Sequence, residues 1–110
     1  MEPIPIEDVL TATGGTLLGD GRPAITGIST DSREVRPGDI FFALVARRDG
    51  HDFVSAAFAA GAAAAAVSRT VPVPPGKAAV LVPDTLKTLG DLAAFYRRQM
   101  PATVIGVTGS

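Results

Sequence analysis

The chain has 110 residues, ten Lys and Arg against eleven Asp and Glu, a formal charge of −1 and no cysteine. That length suits one domain with a core of its own. The near-neutral balance argues against a chain built for nucleic acid, the missing Cys excludes disulfide and thiolate chemistry, and no apolar run is long enough for a membrane helix.

The N-terminus, Met-Glu-Pro-Ile-Pro-Ile, lacks the basic start and apolar core of a signal peptide, so a cytoplasmic protein is expected. Ile6 to Thr13 reads as a short helix with Val9 and Leu10 buried, ended by Gly14-Gly15. Thr16 to Leu18 is a short strand, and Gly19 to Pro23 has turn composition. Ala24 to Ile28 then reads as a strand returning beside the first, a hairpin-like pair. Asp31 to Asp39 is a polar connection with Val35 as its apolar anchor and Pro37-Gly38 as a turn. Ile40 to Val45 is apolar on consecutive residues, as in a strand covered on both faces.

Asp49 or Asp52 suits the N-cap of a helix that carries Phe53, Val54, Ala57 and Phe58 on one side. The alanines that follow are ambiguous, because Ala has the best helix propensity. Gly61 sits where a C-cap belongs, which predicts that the helix ends there and a buried strand runs over 63–67. Residues 68–77 are Pro-rich and read as an exposed loop. Ala78 to Val82 is a buried strand. Asp84 caps a long helix with a stripe of Leu86, Leu89, Ala93, Tyr96 and Met100, Arg97 and Arg98 in its last turn, and Pro101 as its stop. Thr103 to Val107 is a further strand. Strands alternating with helices after residue 40 give an α/β layered domain.

Two stretches carry chemistry. Thr30-Asp31-Ser32-Arg33 places hydroxyls, a carboxylate and a guanidinium at a strand end. That set suits an oxygen-rich ligand, and equally a turn that merely ends the strand. Val104 to Ser110 is an apolar strand running into Thr108-Gly109-Ser110, the way a phosphate loop begins. His51, the single histidine, lies beside a helix start, where a cap or surface role is the ordinary one. A transition-metal site lacks the His and Cys it needs. No Gly-x-Ser-x-Gly elbow supports a nucleophilic triad.

The blocks Ile28 to Arg33, Val35 with Pro37-Gly38-Asp39 and Ile40 to Leu44, then Asp49-Gly50-His51-Asp52-Phe53-Val54 and Gly61-Ala62-Ala63, resemble the N-terminal domain of the Mur ligases. These are the ATP-dependent amide ligases that build the peptide of bacterial peptidoglycan. Ser29 to Arg33 and the terminal Thr-Gly-Ser are more similar to the ligases adding D-alanyl-D-alanine than to the sister ligases adding the third peptide residue. The resemblance implies a mixed sheet with helices packed on it. It implies a UDP-substrate-binding domain over residues 1–102. Residues 103–110 then form the first strand and phosphate-loop start of a central ATP-binding domain.

It further implies that Thr30, Asp31, Ser32, Arg33, Arg47, Asp49, Gly50 and His51 line the UDP site of a UDP-N-acetylmuramoyl-peptide. Thr108, Gly109 and Ser110 would begin the ATP loop. The family's Lys after Ala-Leu is replaced by Val45, leaving Arg47 or Arg48 to supply that cation. No catalytic residue falls within the chain, so the chain alone is expected to bind and not to catalyse. ATP, Mg²⁺ and D-alanyl-D-alanine are expected only with the full-length enzyme. Neither nucleic acid nor membrane is an expected partner, and self-association through the strand at 103–107 is. A stand-alone nucleotide-sugar-binding module is the alternative from another class.

Overall fold

The computed structural model describes residues 3–45 and 49–98. The expectations for Arg47 and Arg48, for the side chains at 96–98, for Met100 and Pro101, for the 102/103 domain boundary, for the strand at 103–107 and for Thr108, Gly109 and Ser110 lie outside the described residues.

The elements in order are β1 (Ile4–Pro5), α1 (Ile6–Thr13), β2 (Thr16–Leu18), β3 (Ala24–Ile25), β4 (Gly27–Ser29), β5 (Asp39–Phe42), a 3₁₀ turn (Gly50–Phe53), α2 (Val54–Ala59), β6 (Ala64–Val67), β7 (Ala78–Leu81) and α3 (Thr85–Arg98). Five strands make the main sheet in the order β2-β7-β6-β5-β4, and β1 pairs with β3 in a separate ribbon. β4, β5, β6 and β7 run parallel, and β2 joins β7 antiparallel. The class is α/β with a mixed sheet, as the resemblance implies.

Parallel strands need cover on both faces, and the residues alternate accordingly. Ile40 and Phe42 of β5, Ala64 and Ala66 of β6, and Ala78 and Val80 of β7 share one buried cluster. α1 adds Ile6 and Val9 to it, and α3 adds Leu92. Phe41, Ala65, Val67 and Ala79 point the other way and meet Val54, Ala57 and Phe58 from the α2 region. Burying a side chain such as Phe41 or Phe42 contributes about 1.5–3 kcal/mol. The alanines of β6 are fully or almost fully buried. Their small side chains let helices lie close to both faces of the sheet centre.

Both helix ends marked by glycine are where the sequence places them. Gly14 has φ +69° and Gly61 has φ +114°, a region open to Gly and strained for other residues. The Gly61 stop turns the Ala run into strand instead of helix.

Four expectations are corrected. The hairpin between 16–18 and 24–28 does not form: β2 pairs with β7, and β3 and β4 belong to different sheets. Thr26 divides them, its N–H donating to Gly38 O at 2.9 Å. The strand at 40–45 stops at Phe42, and Val45 is exposed and bridges Asp49. The helix after Asp49 opens with a 3₁₀ turn. The buried stripe of α3 is corrected in part: Leu89 packs against the core as expected, but Leu86 is 67 % exposed, and Thr85, Thr88 and Leu92 are the buried positions. The two threonines are buried at no loss, because Thr85 Oγ1 donates to Ala43 O at 2.9 Å and Thr88 Oγ1 to Asp84 O at 2.7 Å. Asp84 does cap the helix, its Oδ1 accepting from Lys87 N.

Candidate functional site

Open α/β sheets take ligands outside the carboxyl ends of their parallel strands. Here that edge collects three polar segments from three adjacent strands. Residues 30–33 follow β4, residues 49–51 follow β5, and Ser68-Arg69 follow β6.

The first segment is a tight turn. Ser29 Oγ donates to Asp31 O at 3.0 Å, and Glu34 N donates to Asp31 O at 3.0 Å. Asp31 takes three bonds from Arg33: the backbone N–H at 2.9 Å and Nε at 3.2 Å on Oδ1, and Nη2 at 3.0 Å on Oδ2. Those bonds, the guanidinium's first and the backbone N–H's next, hold the Asp31 carboxyl below its usual range. The turn that was the ordinary alternative for these residues therefore exists. It does not consume the whole segment. Thr30 is exposed and Ser32 half-exposed, and neither hydroxyl bonds to protein among the described residues.

The second segment is an anchor. Asp49 Oδ1 accepts from His51 N at 2.9 Å and lies 2.6 Å from His51 Nδ1. His51 Nε2 accepts from Ser68 N at 2.9 Å, which places the ring proton on Nδ1. The imidazole is 1 % exposed. Both its nitrogens are committed, so it offers a ligand neither charge nor lone pair. Gly50 is fixed by close approach: a Cβ there would lie 2.6 Å from both Leu44 N and Leu44 O. Asp49 Oδ2 accepts from Arg69 Nη1 at 2.6 Å. The His51 backbone N–H, then Arg69, then the imidazole hold the Asp49 carboxyl well below the usual carboxylate range.

Ser68 Oγ also sits 3.3 Å from His51 Nε2, so Ser, His and Asp are in series. This is not a nucleophilic triad. The Nε2 lone pair already receives the Ser68 backbone N–H, so it is not free to act as a base.

A cleft of about 420 Å³ runs along β4, the edge strand of the sheet. Thr30 and Asp31 line it at one end, with Glu34, Arg36 and Asp39 further along. Ser32, Arg33, Asp49, Gly50 and His51 lie outside it. Of the expected site residues, Thr30, Asp31, Ser32, Arg33, Asp49, Gly50 and His51 are described; they share one edge of the sheet and are divided between a cleft, a turn and an anchor. Among the described residues, no group of three or more His, Cys, Asp or Glu side chains is placed to hold a metal ion. No helix among them is long and apolar enough to cross a membrane.

Sequence reasoning passed over Ser68 and Arg69, reading them as the start of an exposed loop. The available signal was positional: two polar residues directly after a buried parallel strand, where Thr30 and Asp31 also stand.

The family described as "Mur ligase family, catalytic domain" matches residues 24–97. A UDP-N-acetylmuramoyl-tripeptide--D-alanyl-D-alanine ligase of Bacillus subtilis (strain 168) is 40 % identical over 109 residues, covering 96 % of this chain and 24 % of its own length. A UDP-N-acetylmuramoyl-L-alanyl-D-glutamate--2,6-diaminopimelate ligase of Chlorobaculum tepidum is 40 % identical over 115 residues, covering 96 % of this chain and 22 % of its own length. The crystal structure of MurF from Acinetobacter baumannii superposes with a TM-score of 0.76 at 38 % identity, covering 90 % of this chain and 22 % of that one. The chain spans about a quarter of the length of the curated relatives it matches.

Proposed function

Because the chain belongs to the Mur ligase family, we propose that it binds the UDP end of a UDP-N-acetylmuramoyl-tripeptide, as the substrate domain of an ATP-dependent ligase that adds D-alanyl-D-alanine in peptidoglycan synthesis in the cytoplasm. The observation that carries this reading is the exit of β4. Among the described residues, the Thr30 and Ser32 hydroxyls have no protein partner there, on a turn made rigid by Asp31 and Arg33. Hydroxyls that donate and accept suit uracil and ribose oxygens. A turn already tied down loses little entropy when a ligand arrives. The carboxyl edge of β4 to β6 supplies the length for the rest of a nucleotide.

Within this reading Asp49, Gly50 and His51 act on the site by holding its wall. His51 ties the β5 exit to the β6 exit, and Asp49 holds Arg69. ATP and Mg²⁺ belong to chain from Thr108 onward. Residues 3–98 bind and position, and the transfer itself is assigned to the longer enzyme.

A ligase that adds the third peptide residue is the second reading. It is favoured by relatives of that name at identities equal to those of the D-alanyl-D-alanine ligases. A ligase assay on the polypeptide that carries this sequence together with the central domain separates the two. ADP release that depends on D-alanyl-D-alanine and UDP-N-acetylmuramoyl-tripeptide is expected. Release that depends instead on diaminopimelate or lysine and the dipeptide substrate would overturn the first reading.

A further inference from the structure

Resting on the UDP-binding reading, we propose that Arg69, and not Arg33, is the cation that receives the diphosphate of the ligand. An arginine grips a phosphate best with two parallel N–H donors. Nε and one terminal nitrogen form one such pair. Arg33 has already spent that pair: its Nε and Nη2 both donate to Asp31. Arg69 gives only Nη1 to Asp49, and its Nε and Nη2 have no partner among the described residues. The same side chain type therefore presents a closed fork after β4 and an open one after β6.

Position agrees with this. β4 and β6 are separated by β5 alone, so their carboxyl ends lie about 10 Å apart. A nucleoside diphosphate laid across the edge, with its nucleoside at Thr30 and Ser32, brings its phosphates toward β6. The neighbouring carboxylate does not cancel the cation. Asp49 divides its charge among the His51 N–H, the His51 Nδ1–H and Arg69. Being tied at Nη1, the guanidinium is held in place before the ligand binds, which reduces the ordering cost of the contact. The side chain is 54 % exposed, so a phosphate can reach it without opening the fold.

Calorimetric titration with UDP and with uridine tests the assignment, with thermal melts on each protein. The wild-type chain is expected to bind both. Arg69→Ala is expected to weaken UDP about tenfold to a hundredfold and to leave uridine unchanged. Arg69→Lys is expected to recover part of the loss, since an ammonium keeps the charge without the fork. Arg33→Ala is expected to cost UDP less than Arg69→Ala does. Equal loss of UDP and uridine in Arg69→Ala would mean that Arg69 only braces Asp49, and would overturn the proposal. So would wild-type UDP affinity in Arg69→Ala, or a greater loss in Arg33→Ala. If Arg69→Ala fails to fold, Arg69→Gln against Arg69→Lys gives the same comparison. A wild-type chain that binds no UDP would overturn the UDP reading itself, a separate result from wild-type binding that ignores Arg69.

Discussion

Replacing His51 by Ala distinguishes an anchor from a ligand contact. The ring is enclosed and bridges two strand exits. Removing it takes from the Ser68 N–H its acceptor, a hydrogen bond that contributes about 0.5–1.5 kcal/mol. It also takes one donor from Asp49 and leaves a void between the β5 and β6 exits. Together these come to roughly 3–4 kcal/mol. For a domain of this size each kcal/mol lowers the melting temperature by about 4–8 °C, so a fall of roughly 12–30 °C is expected. UDP affinity, measured well below the new midpoint, should fall by less than about tenfold, because neither ring nitrogen was available to a ligand and the ring acts on the site only through the wall it holds. Thermal melts followed by circular dichroism, with calorimetry on the folded protein, read both quantities. An unchanged midpoint with UDP affinity lost tenfold or more would make His51 a contact residue and not an anchor.

Leu92→Ala should destabilise by about 2–5 kcal/mol, while Leu86→Ala should stay within about 0.5 kcal/mol, because Leu92 is buried and Leu86 is 67 % exposed; urea denaturation of the two checks the register of α3. The Asp49 carboxyl titrates lower in the folded chain than its ordinary 3.8. Between the two values the unfolded chain binds more protons, so stability rises with pH there. The contribution is complete above about pH 4 and is lost as pH falls through the folded value. Wild type should therefore lose stability faster than Asp49→Asn on acidification from pH 4, and parallel acid titrations would count against the Asp49 network. Thr85→Val should destabilise by about 1–3 kcal/mol, since it strands the buried Ala43 carbonyl while keeping the side-chain volume, and a chemical melt measures it.

Much of the fold was legible because its signals are local. Ile6 to Thr13 carries helix periodicity and a glycine stop, and the helix has those bounds. Gly61 was enough to divide a run that helix propensity alone would have joined. What failed was non-local. Nothing within residues 16–28 shows that Leu17 pairs with Val80, because the partner strand lies some sixty residues on and the pairing is chosen by the whole sheet. The stripe of α3 was partly misplaced because Thr85 and Thr88 count as polar until their hydroxyls are seen to bond backbone carbonyls. At the candidate site, the hydroxyls, carboxylate and guanidinium after β4 mark a polar strand exit in the sequence itself. That Arg33 is tied to its neighbour, while Arg69 keeps an open fork, depends on side-chain geometry that residue types do not encode.

The proposed UDP site is the carboxyl edge of β4, β5 and β6. Amide chemical-shift mapping by NMR, with UDP titrated into the isotope-labelled chain, tests it most directly. Saturable shifts are predicted at Ser29 to Arg33, Asp49 to His51, and Ser68 and Arg69, with little change along α1 and α3. An absence of saturable shifts, or a cluster on the α1 and α3 face, would overturn the proposed site.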